Sequence, residues 1–88
     1  VKTVKQFTYT VKDKVGIHAR PAAQLARALA PYKSTVLIER NGERVSAKKG
    51  IAIMGLAIKY GETVSFIVEG EDETETLSAL REFCCQNI

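Results

Sequence analysis

The chain has 88 residues, 45% of them hydrophobic and 26% charged, with a formal net charge of +3. A domain this small buries only about 60–65% of its unfolded surface, which leaves room for one sheet and its helices but not for a deep pocket. The composition argues against disorder, no apolar run approaches the ~20 residues of a membrane span, and Val1-Lys2-Thr3-Val4 has no signal-peptide core. The expectation is one cytoplasmic domain over residues 1–88, without membrane insertion. Charge is unevenly distributed: residues 1–60 hold twelve Lys/Arg against three acids, and residues 61–88 hold one Arg against seven. The basic part favours anionic partners.

Lys5 to Val11 alternates, with Phe7, Tyr9 and Val11 on one face and Lys5, Thr8, Thr10 and Lys12 roughly on the other, and reads as a first strand. Asp13-Lys14-Val15-Gly16 is a loop. A helical pattern runs from Ala19 to Ala30, with Ala22, Leu25, Ala26 and Leu29 as its apolar stripe and Pro21 in its first turn. Pro31 stops it. Thr35–Glu39 and Glu43–Ser46 flank Asn41-Gly42, a strong hairpin signal. Residues 47–57, apolar and interrupted by Gly50 and Gly55, suit a helical turn or two followed by loop. Thr63 to Glu69 reads as another strand, with Val64, Phe66 and Val68 on one face. Asp72 and Glu75 resemble a capping box opening a last helix whose stripe is Leu77, Leu80, Phe83 and Cys84. The order βαββαβα is most economically an α+β fold with helices on one face of a mostly antiparallel sheet.

Cys84 and Cys85 are neighbours, and a bridge between them would be strained. One should pack as a small hydrophobe and the other face water. Two thiols and one distant histidine are too few for a structural zinc site, so no metal is expected.

The only histidine stands in Gly16-Ile17-His18-Ala19-Arg20-Pro21-Ala22, where the first loop meets the first helix. A helix N-terminus presents unpaired N–H groups and the positive end of the macrodipole, an arrangement that receives a phosphoryl dianion. The same field disfavours imidazole protonation, leaving a nucleophilic ring near pH 7. The guanidinium of Arg20 suits phosphate oxygens. Gly16 permits unusual backbone angles and a close approach, and Ile17 should pack inward to anchor the loop.

This motif resembles the active site of HPr, the histidine-containing phosphocarrier family of the bacterial phosphoenolpyruvate:sugar phosphotransferase system. The resemblance runs over essentially the whole chain without a gap. Asn41-Gly42 falls at the family's hairpin, Ala47-Lys48 before its short helix and Gly70-Glu71-Asp72-Glu73 before its last. It implies an open-faced β-sandwich, a four-stranded antiparallel sheet with three helices on one side. It also implies a monomeric phosphocarrier with a covalent phosphohistidine, not an enzyme in its own right, and one that needs no cofactor. His18 would match the residue phosphorylated on Nδ1 by enzyme I, which draws on phosphoenolpyruvate, before the group passes to a IIA domain of a sugar transporter. Arg20 would match the partner of the phosphohistidine, with Gly16 and Ala19 shaping the loop. Partner docking would fall to Ala23, Lys49, Gly50, Ile51 and Met54, beside Ala19.

The sequence departs from the family at the start of the short helix. Many relatives carry there a regulatory serine phosphorylated by an ATP-dependent kinase, where this chain has Lys49. Gly50 follows in place of a bulky apolar residue, and Ser46 lies three positions earlier at a strand end. These changes motivate an alternative within the family, a specialised paralogue acting in regulation. A nucleic-acid-binding sheet is disfavoured because no RNP-type signature accompanies Phe7, Tyr9 and Phe66. A stand-alone hydrolase or kinase has no Ser-His-acid set, Walker loop or metal cluster to work with.

Overall fold

The computed structural model describes residues 4–14, 16–17 and 19–88, together with the backbone but not the side chain of Ala19. Its elements are β1 (Val4–Thr10), α1 (Ala19–Leu29), β2 (Thr35–Arg40), β3 (Glu43–Ser46), α2 (Gly50–Gly55), β4 (Thr63–Glu69) and α3 (Glu73–Asn87). The strands form one antiparallel sheet in the order β1-β4-β2-β3, with β4 paired to both β1 and β2. The expected four-stranded antiparallel sheet with three helices is the observed fold.

Alternation sets the register. Phe7 pairs with Phe66 and Ile38 with Phe66, while Val36 pairs with Val68, so the buried residues of neighbouring strands share one face. On β4 the alternate residues Val64, Phe66 and Val68 are fully buried, whereas Ser65 and Ile67 on the other face are only half-buried. The helices close the inner face: Ala22, Leu25 and Leu29 from α1, Ile53 from α2, and Leu80 and Cys84 from α3 join the sheet residues in one core. The hairpin between β2 and β3 turns on Asn41 (φ 51°) and Gly42 (φ 85°), two consecutive left-handed residues that match the right-handed twist of the strands.

Three expectations need correction. Lys5 pairs with Val68 and stands on the Phe7–Tyr9 side of β1, while Val4, Gln6, Thr8 and Thr10 form the exposed face. Val11 lies beyond the strand yet is buried. Most clearly, Asp72 precedes α3 without making a side-chain capping bond. Its carboxylate instead accepts hydrogen bonds from the backbone N–H groups of Lys33 and Ser34, both at 2.8 Å, and from the Ser34 hydroxyl. Tertiary partners, Lys33 and Ser34, take the oxygens that would cap the helix. The Thr76 hydroxyl donates to the Asp72 carbonyl at 2.7 Å, which accounts for a buried threonine that the apolar stripe does not contain.

Candidate functional site

The segment that leads into α1 is held at successive points along its backbone. The Val11 N–H donates to the Glu62 carbonyl at 2.9 Å, and the N–H groups of Lys12 and Asp13 both donate to the Ile88 carbonyl, at 2.7 and 2.9 Å. The Gly16 N–H then donates to the Asp13 carbonyl at 2.9 Å, closing a turn, and the Ile17 N–H donates to the Ile58 carbonyl at 3.0 Å. Gly16 has φ 80°, and a Cβ there would lie 2.4 Å from the Ile58 oxygen and 2.9 Å from the Lys59 Cα. Left-handed backbone and close approach both require glycine at this point. Ile17 is buried in the core, as expected of an anchor.

His18 lies outside the described residues, so its neighbours define its place. Ile17 is fixed before it, and α1 begins at Ala19 immediately after it, with no acidic residue in the first turn. A residue in that position precedes the unpaired N–H groups and positive end of an eleven-residue helix. Arg20 is exposed, and Pro21 in the same turn is buried.

Arg20 lines a polar cavity of about 240 Å³ with Asp13, Pro21, Gln24, Gln86 and Asn87. Gln24 follows Arg20 by four residues, a helical neighbour that spacing could have indicated. Gln86 and Asn87 arrive from the far end of α3, and nothing local to the motif signals them.

The expected docking residues gather where α2 meets α1. A Cβ at Gly50 would lie 3.4 Å from the Ala23 Cα and 3.5 Å from the Ala22 carbonyl oxygen, so the two helices approach closely there. Ile53 turns inward, while Ile51 (83% exposed) and Met54 (37% exposed) face outward with Ala23. Lys49 is the exposed residue preceding α2, in extended conformation and without a side-chain capping bond. Ser46 ends β3, its hydroxyl accepting the Lys48 N–H at 3.2 Å.

Glu62 joins the site although no motif contains it. Its Oε1 accepts the Lys59 N–H at 2.7 Å, and its carboxylate receives Arg40 Nη1 at 3.0 and 3.2 Å. The Lys59 N–H, followed by Arg40, holds the Glu62 carboxyl below its ordinary pKa.

Comparison with known proteins agrees with this architecture. The family model described as the PTS HPr component phosphorylation site matches residues 5–86. The phosphocarrier protein HPr of Lysinibacillus sphaericus is 39% identical over 77 residues, covering 88% of each chain. The HPr-like protein Crh of Halalkalibacterium halodurans is 42% identical over 73 residues, covering 83% of this chain and 87% of its own. The crystal structure of a phosphocarrier protein HPr from Bacillus anthracis superposes with a TM-score of 0.85 at 34% identity, covering 92% of this chain and 96% of the other. The chain thus belongs to the HPr family of phosphocarrier components of the phosphotransferase system.

Proposed function

We propose that the protein, as one domain over residues 1–88, accepts a phosphoryl group from enzyme I on His18 and passes it to the IIA component of a sugar transporter. One observation supports the reading: Gly16 and Ile17 are pinned against Ile58 and Lys59, and α1 begins at Ala19, two residues after Ile17. In the transfer, Nδ1 of the neutral imidazole forms a bond to phosphorus as the donor's bond to phosphorus breaks. The first-turn N–H groups and Arg20 offset the dianionic charge in the product. Such chemistry depends on positioning and charge, so a shallow surface suffices. Phosphoenolpyruvate with enzyme I should yield an acid-labile, base-stable phosphate that His18→Ala abolishes. Absence of label on the unaltered protein with enzyme I from the same source would refute the reading.

Docking is assigned to Ala23, Ile51 and Met54, with Lys49 and Gly50 setting partner preference and Ala19 beside them. The outward-facing apolar side chains of α2 support this. The working form is taken to be a monomer in the cytoplasm, and no helix among the described residues is long and apolar enough to cross a membrane. A regulatory role in place of bulk sugar uptake is the second reading, favoured by Lys49 and Gly50 and by the similarity to an HPr-like protein. Growth rescue of a strain lacking its own carrier separates the two.

A further inference from the structure

The backbone between α2 and β4 is the surface on which the loop before His18 rests. Ile58 supplies the carbonyl that receives the Ile17 N–H, and the Lys59 Cα faces Gly16 with no room for a methyl group between them. This stretch belongs to no helix or strand, and Ala57 at its start is left-handed, with φ 52°. Its shape therefore depends on individual hydrogen bonds, and Glu62 makes a reciprocal pair of them. The Glu62 N–H donates to the Lys59 carbonyl at 3.1 Å, and Glu62 Oε1 accepts the Lys59 N–H at 2.7 Å. Arg40, at the end of β2, donates from Nη1 to both oxygens of the same carboxylate, at 3.0 and 3.2 Å. The Glu62 carbonyl also receives the Val11 N–H, where the chain leaves β1.

We propose that Glu62 is a positioning residue for phosphoryl acceptance, its carboxylate holding the 58–61 backbone in the geometry on which Gly16 and Ile17, the residues before His18, rest. The inference builds on the reading of His18 as the acceptor. Glu62 touches no phosphate. It acts through Lys59, Ile58 and Ile17, and small displacements of a reacting group are costly, with about 1 Å worth up to roughly a hundredfold in rate. Docking rests on a different surface, that of α1 and α2. The consequence of losing the carboxylate should therefore fall on turnover and not on partner affinity.

The test measures the initial rate of transfer from phosphoenolpyruvate-charged enzyme I to the full chain, varied over carrier concentration, together with amide hydrogen exchange at Lys59 and Ile17. Glu62→Ala should lower kcat about tenfold with KM within about twofold, and both amides should exchange faster. Glu62→Gln keeps an oxygen for the Lys59 N–H and should restore most of the rate. Glu62→Asp, one methylene short of spanning Lys59 and Arg40, should fall between them and serves if the alanine variant does not fold. A folded Glu62→Ala or Glu62→Asp protein with unchanged kcat overturns the proposal, as does unchanged Ile17 exchange. Absence of label on the unaltered protein refutes the acceptor reading instead, and the exchange measurement still decides whether Glu62 holds the loop.

Discussion

Asp72 and Ser34, 38 residues apart in sequence, are joined twice: the Asp72 carboxylate receives both the backbone N–H of Ser34, at 2.8 Å, and its hydroxyl. With the Lys33 N–H on the other oxygen, the start of β2 is tied to the start of α3. These donors, the Ser34 hydroxyl first and the Lys33 N–H next, hold the Asp72 carboxyl well below the usual carboxylate range. A depressed folded pKa contributes stability that is complete above the ordinary value near 3.8 and is lost as pH falls through the folded value. Asp72→Asn should lower the melting temperature by several degrees near pH 7 and flatten its decline below about pH 4. Thermal unfolding monitored by circular dichroism across pH would read both effects, and parallel curves for the two proteins would contradict the assignment.

Gly16→Ala places a methyl group 2.4 Å from the Ile58 oxygen at a left-handed φ. The variant should lose about 2 kcal/mol or more of stability. Its rate of phosphoryl acceptance should also fall by at least about tenfold, because the displaced segment precedes His18. Urea unfolding alongside the transfer assay checks the two effects separately.

Ala57, exposed and at φ 52°, is a non-glycine residue in the left-handed region two residues after the end of α2. Such a conformation costs an L-residue roughly 1–2 kcal/mol, while glycine adds an unfolded-state entropy penalty of about 0.5–1 kcal/mol. Ala57→Gly should therefore raise stability by up to about 1 kcal/mol, visible as a higher urea midpoint at unchanged slope. A lower midpoint would count against the strain.

Cys84 and Cys85 should differ sharply towards a thiol reagent. Cys84 is buried, and burial, with Cys85 adding to it, pushes its thiol up to about 12, whereas Cys85 is exposed. Near pH 8 the native protein should take one label, on Cys85, and take a second only on unfolding. Peptide mapping after alkylation with and without denaturant distinguishes the positions.

Incubation with the family's serine kinase and ATP should leave peptide 44–54 without phosphate. The family resemblance would put Lys49 at the regulatory serine's position, and Ser46 ends β3 with its hydroxyl engaged by the Lys48 N–H. Phosphate found within 44–54 by mass mapping would show that kinase control survives.

Where sequence neighbours decide structure, the sequence was legible. Val64, Phe66 and Val68 alternate and lie together in the core, Asn41-Gly42 adopts the left-handed pair that its residue types favour, and Ile17 is buried as its place before the helix suggested. The sequence is silent where the deciding partner is remote. Asp72 has the chemistry of a helix cap, but Lys33 and Ser34 claim its oxygens. The cavity beside Arg20 is completed by Gln86 and Asn87 from the far end of the chain. Glu62 acts on a backbone N–H, a partner that carries no side-chain signature.

The middle place of β4 in the sheet bears on how the molecule comes to exist. Among the strand pairings of the described residues, only the hairpin of β2 and β3 joins neighbours along the chain, whereas β1 and β2 each wait for β4. During synthesis, β1 leaves the ribosome long before its partner does, and its pairing closes a loop from residue 10 to residue 63. The nascent protein should thus hold an unpaired first strand and an open core until residues 63–69 emerge, and then acquire most of its long-range order in one late cooperative step.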